Sequence, residues 1–164
     1  MKVLSKQRNS RMCIICGLDN PAGVRAKFYN MEDGSVVSPF QFSDVHQSYP
    51  GRVHGGMITA MLDELGLRAV WQREPDTWGV TMSLSTKFRK PVPYNTPLFA
   101  KGILLLSNHR FIKTEAHIFD ANGNKLASAE LDYIKLAPEQ ISSADAHEEM
   151  CYFIKDDVAE IDCP

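Results

Sequence analysis

"YPGRVHGGMITAMLDELGLRAVWQ", residues 49–72, joins a glycine-rich turn to the one strongly helical stretch in the first half of the chain. Ile58, Leu62, Leu65 and Ala69 recur at the spacing of a single helix face. Met57, Met61, Leu67, Val70 and Trp71 cover most of the remaining circumference, so a helix over 56–72 is apolar nearly all round. Such a helix belongs inside a domain, not on its surface. Two adjacent acids, Asp63 and Glu64, interrupt it. An unpaired buried carboxylate is costly, so each needs a reason to be there.

The flanking sequence changes period. "GVRAKFYNMEDGSVVSPFQFS" (23–43) reads as two strands about an EDG hairpin signal, and "HQSYPGRVHGG" (46–56) reads as a loop. After "REPD", four long strand patterns follow: "TWGVTMSLSTKFRKPV", "PLFAKGILLLSNHR", "FIKTEAHIFDANG" and "NKLASAELDYIKL", with a hairpin turn at "DANGNK". Two strands, a buried helix and four strands predict an α+β domain. In it, an antiparallel sheet of about five or six strands wraps around one long central helix. The expected organisation is a polar lead-in over 1–22, the domain proper over 23–137, and a C-terminal segment over 138–164. That last segment carries a short amphipathic helix in "SSADAHEEMCYFIKDDV", with Ser142 or Ser143 as its N-cap.

With 164 residues, 44% of them hydrophobic and 23% charged, the chain has the composition of one soluble globular domain. A net charge of −2 argues against a nucleic-acid binder, which should show a basic stripe. Lys87, Arg89 and Lys90 form the one tight basic cluster, suited to a phosphorylated small molecule more than to a polyanion. No apolar run is long enough to span a membrane, and the basic N-terminus is not followed by an apolar core, so a cytoplasmic location is expected. Of the four cysteines, Cys13 and Cys16 have the spacing of half a zinc site or a redox pair. No second CxxC or close Cys/His pair follows, and "GLDNPAG" after them is turn chemistry. No metal is therefore expected, and packed or solvent-near thiols are the default reading.

The two acids have different neighbours. Glu64 has Arg68 at i+4 on its own face, the spacing of an intrahelical ion pair. Asp63 has Thr59, Ala60, Gly66, Leu67 and Val70 around it and no cation. That setting tends to raise a carboxylate's pKa towards the range of a general base. An aspartate reaching water at a subunit edge, or bonded to another segment's backbone, fits the same residues equally well. Gly55 and Gly56 open the helix, where backbone N–H groups lack intrahelical acceptors and the dipole end is positive. Without a side chain at Gly55, an oxyanion or polarised carbonyl oxygen can approach those groups.

An HGG, an acid nine positions after its His on a helix, and long strands beyond it resemble the hotdog-fold acyl-CoA thioesterases of the phenylacetate-pathway (PaaI-like) type. "CIICGLDNPAG" and "HQSYPGRVHGGMITAMLDE" are similar to one branch of that group, and the resemblance covers roughly residues 13–137. It implies a thioester hydrolase in which Asp63 activates water, or attacks directly, at the thioester carbonyl. The Gly55 amide would bind the carbonyl oxygen, with His54 and Gly56 shaping the turn. Thr81 stands where related enzymes often have a hydroxyl near the attacking water. In place of the Asn that relatives carry six residues before the His, this chain has Ser48, with Gln47 and His46 beside it as candidate substitutes.

Coenzyme A would enter as part of the substrate, with no other cofactor. Its phosphates would meet Lys87, Arg89 and Lys90, or more weakly Arg52. The resemblance also implies edge-to-edge homodimers, each site completed by both chains, or a homotetramer built from them. Two other readings stay open. One is hydration or dehydration of an acyl thioester, for which His54 is the relevant residue. The other is a non-catalytic acyl-CoA-binding module, which Ser48 favours.

Overall fold

The 17-residue helix α1 (Gly55–Trp71) buries Ile58, Met61, Leu62, Leu65, Ala69 and Val70, and a sheet curls around it. The structure, a computed structural model, describes residues 1–143 and 146–164, with 146 and 147 described by backbone alone. Its strands are β1 (Val3–Lys6), β2 (Tyr29–Met31), β3 (Val36–Phe40), β4 (Gly79–Phe88), β5 (Leu98–Ser107), β6 (Phe111–Asp120) and β7 (Lys125–Lys135). They form a 7-stranded sheet in the order β1-β2-β3-β5-β6-β7-β4, with every neighbouring pair antiparallel. An antiparallel sheet around one long helix is the hotdog fold.

The strand beyond the expected five or six is β1, which lies inside the stretch read as a polar lead-in. It pairs with β2, and the Val3 amide donates to the Ala159 carbonyl at 2.8 Å. Four residues with only Val3 and Lys6 half-buried give no usable alternation, so backbone pairing carries this strand.

The C-terminal segment departs from expectation for the same reason. Instead of one helix through 142–158, it has two single turns, α2 (Pro138–Ile141) and α3 (Ala146–Glu149), followed by extended chain. Ser142 ends α2 instead of capping a helix start, and residues 144 and 145 between the turns lie outside the described residues. Bridges Lys2↔Glu160 and Asn9↔Tyr152 tie the tail to the N-terminal segment, and those main-chain bonds outweigh local helix propensity.

Two features of the fold position the site. Gly66 sits in the middle of α1 because a Cβ there would lie 2.2 Å from the Tyr133 hydroxyl oxygen. The glycine lets Tyr133 pass under the helix from β7. The second feature is β4, which ends the sheet and so has one unpaired edge. Val80, Met82 and Phe88 are exposed along it, and a long apolar edge of this kind is a template for pairing with another strand. No helix among the described residues is long and apolar enough to cross a membrane.

Candidate active site

At the start of α1, His54 is the N-cap: its Nδ1 accepts from the Gly56 N–H at 2.9 Å. A Cβ on Gly56 would lie 2.9 Å from that same Nδ1, so glycine is what lets the ring fold back. The cap leaves the Gly55 N–H as the open donor. Being first in the helix it has no intrahelical acceptor, and nothing else among the described residues accepts from it. His54 is held in place by the loop, its amide donating to the His46 carbonyl at 2.8 Å.

His46 itself is buried and fully used. Its Nδ1 accepts from the Ser43 amide at 3.0 Å and its Nε2 donates to the Ala22 carbonyl at 2.7 Å. With both ring nitrogens engaged inside the chain, His46, expected as a substrate-binding candidate, braces the loop that delivers His54. Ser48 is exposed in a tight turn, its amide donating to the Arg52 carbonyl at 2.9 Å.

Beside the open amide lies a cleft of about 380 Å³ lined by Arg52, Gly55, Ile58, Phe88, Arg89 and Lys90. The Phe88 ring comes to 3.4 Å from where a Gly55 Cβ would be, so it packs over the helix start at van der Waals distance. The basic cluster is divided. Arg89 and Lys90 join Arg52 at the cleft, whereas Lys87 points to the outer face and approaches Glu130 Oε1 at 3.7 Å. Arg89 also borders, with Lys87, a smaller depression on that outer face, so it stands between the two, and Lys87 does not line the cleft at Gly55.

Two turns further along α1, Asp63 is half-buried, and Thr81 on β4 donates its hydroxyl to Oδ1 at 2.8 Å. No cation is in ion-pair reach of Asp63 among the described residues. Burial raises its pKa, and the neighbouring Glu64 charge adds to the rise; the Thr81 and Tyr133 hydroxyls oppose it. Tyr133 also donates to the Asp63 carbonyl at 2.8 Å, and its own deep burial keeps that phenol protonated. Glu64 takes the other course: Arg68 Nε and Nη2 both reach its Oε1 at 2.9 Å.

Phe88 and Tyr133 were absent from the residues singled out in the sequence. The signal for Tyr133 was Gly66, since a glycine inside a helix often marks a close approach. Within one chain the two parts of the site stay apart. Eight residues of helix separate Gly55 from Asp63 by about 12 Å, and first-turn N–H groups point off the helix end, away from Asp63.

Residues 50–127 match the model of the Thioesterase superfamily. A protein of Saccharolobus solfataricus named for esterase activity is 26% identical over 103 residues, which are 63% of this chain and 68% of that one. Among solved structures, a thioesterase superfamily protein is 29% identical with a TM-score of 0.68. That match takes in 75% of this chain but only 63% of the other, so the chain spans less than two thirds of that relative.

Two more distant structures share the fold. A thioesterase solved with coenzyme A from Streptococcus pneumoniae TIGR4 has 20% identity, a TM-score of 0.61, and covers of 68% and 86%. A phenylacetic acid degradation-related protein from Ralstonia eutropha JMP134 has 21% identity, a TM-score of 0.61, and covers of 68% and 85%. The antiparallel sheet around α1 and these likenesses define a hotdog-fold protein. The matched stretch, residues 50–127, is just under half of the chain and takes in the HGG turn, α1 and strands β4 to β6.

Proposed function

We propose that this chain hydrolyses acyl-CoA thioesters in a site built across two copies of itself. The observation that carries this reading is the position of two half-sites at opposite ends of β4. Thr81, near its start, holds Asp63; Phe88, its last residue, lies against Gly55. When two such free edges pair antiparallel about a two-fold axis near Leu84 and Ser85, Thr81 of one copy comes opposite Phe88 of the other. Asp63 then faces the partner's Gly55 amide, and the separation within one chain ceases to matter.

In that arrangement the Asp63 carboxylate takes a proton from water, and the water oxygen adds to the thioester carbonyl. The partner's Gly55 N–H, at the positive end of α1, holds the carbonyl oxygen as it gains charge. The C–S bond then breaks as the carbonyl re-forms, and the coenzyme A thiol leaves with the proton that Asp63 carried. Thr81 fixes the carboxylate while leaving its second oxygen for water. Arg52, Arg89 and Lys90 line the cleft at Gly55, where the phosphates of coenzyme A can be met by charge-assisted hydrogen bonds. The engagement of His54 as a helix cap weighs against the hydratase reading, which would need that imidazole for proton transfer.

The test is a panel of aromatic, short and medium acyl-CoAs incubated with the protein and a thiol reagent. Release of free coenzyme A that Asp63→Asn abolishes is the expected result. Tight binding of acyl-CoA with no release would overturn the proposal in favour of a binding module.

A further inference from the structure

Glu64, unlike Asp63, borders a cavity of about 430 Å³ that is also lined by Cys13, Cys16, Ser10, Arg11 and Trp78. The two thiol sulfurs and a Glu64 carboxylate oxygen all lie within 4.8 Å of one another. We propose that Cys13, Cys16 and Glu64 bind one zinc-class divalent cation, whose fourth coordination position faces this cavity.

Three observations support the assignment. The first is the shape of the CIICG turn. The Ile15 and Cys16 amides point at Cys13 Sγ at 3.3 and 3.5 Å, and the Gly17 amide donates to the Cys13 carbonyl at 2.8 Å. Gly17 is required there, because a Cβ would lie 2.4 Å from that carbonyl oxygen. Backbone N–H groups gathered on a sulfur stabilise it as a thiolate ligand.

The second observation is the supporting shell of the other two donors. Cys16 Sγ accepts from Arg68 Nη2 at 3.1 Å and contacts Ser10 Oγ at 3.2 Å. Glu64 divides its oxygens: Oε1 receives Arg68, while Oε2 faces Cys13 Sγ at 3.6 Å. With metal–sulfur and metal–oxygen bonds of zinc length, tetrahedral ligands are separated by about 3.6 Å for sulfur to oxygen. The spacing of Cys13 and Glu64 is thus that of two ligands on one ion.

The third is charge. Two thiolates and a carboxylate balance a divalent cation together with the Arg68 guanidinium, which is itself buried. Two thiol protons leave to solvent as the ion binds. Paired thiolates select zinc over magnesium or calcium, and three protein ligands with an open fourth position distinguish the site from a closed structural one. The spacing of the cysteines suggested only half a zinc site because the third donor is 51 residues downstream of Cys13, delivered by α1.

Reduced protein purified without chelators, titrated with Zn²⁺ against a chromophoric competitor, tests this directly. One ion per chain is expected, with binding lost in Cys13→Ser and weakened at least about 10-fold in Glu64→Gln. Substitution by Co²⁺ should give the intense visible bands of a four-coordinate ion and a thiolate charge-transfer band. Circular dichroism establishes that each variant is folded, and Cys13→Ser, which leaves the Glu64–Arg68 pair intact, serves if Glu64→Gln is not. Three results would each overturn the proposal: no stoichiometric Zn²⁺ on the reduced wild type, unchanged affinity in folded Cys13→Ser, or unchanged affinity in folded Glu64→Gln. Acyl-CoA turnover is not the readout, so this outcome is independent of the Asp63 site.

Discussion

Asp63 and Glu64 are consecutive on α1 and face two different environments. On Asp63's side are the free edge of β4, two neutral hydroxyls and, among the described residues, no cation. On Glu64's side are a buried guanidinium stacked over Trp71 and Phe28, at 4.5 and 4.9 Å to the ring centroids, and two thiols. The same functional group is left without a compensating charge in one place and neutralised in the other. What separates the two roles is the set of groups available to compensate the charge, since both acids share one helix and are both half-buried.

The contrast predicts opposite effects of equivalent changes. Asp63→Asn should lower kcat by about 10²–10⁴-fold, the usual share of a general base. Thermal melting should show its stability unchanged or raised, because a desolvated carboxylate has been removed. In the wild type, the raised pKa of Asp63 means the folded state binds the extra proton between the ordinary aspartate value and the raised one. Stability therefore falls as pH rises through that window, while kcat/KM rises through it. Asp63→Asn should flatten both limbs.

Gly55→Pro tests the other half-site. Proline is favoured as the first residue of a helix, and His54 at φ −63, ψ 134 is already extended as a residue before proline must be. The change removes the N–H and should cost about 10²–10³-fold in kcat with the fold retained by circular dichroism. Glu64→Gln should do the reverse of Asp63→Asn. It leaves the Arg68 charge buried and unpaired, a loss of about 3 kcal/mol by denaturant unfolding, with little change in kcat for the folded fraction. The smallest effect is expected at the cleft. Arg89→Ala and Lys90→Ala should each raise KM for acyl-CoA roughly 5- to 10-fold, more weakly at high salt, with kcat nearly unchanged.

Much of this was legible in the sequence because it is local. The all-round apolar pattern of 56–72 marked the buried helix, and its two glycines marked the end where donors stay open. Asp63 stood out because no cation falls at helical spacing from it, whereas Arg68 stands four residues after Glu64. What was not legible depends on segments meeting. β1 and the extended tail are held by main-chain bonds that side-chain patterns do not encode. His46 looked like a candidate ligand until Ala22 and Ser43 came to its two nitrogens. Lys87, Arg89 and Lys90 formed one cluster in the sequence, yet only Arg89 and Lys90 reach the cleft at Gly55. The cysteine pair lacked a third donor until α1 placed Glu64 beside it.

In the proposed dimer each site takes Asp63 from one copy and the Gly55 amide from the other. Co-expressing Asp63→Asn with Gly55→Pro and purifying the mixed dimers tests it most directly. Each mixed dimer then carries one site with both wild-type groups, so about half of the wild-type turnover per dimer should return from two nearly inactive parents. Mixed dimers as inactive as either parent would show that Asp63 and the Gly55 amide do not act together across the dimer.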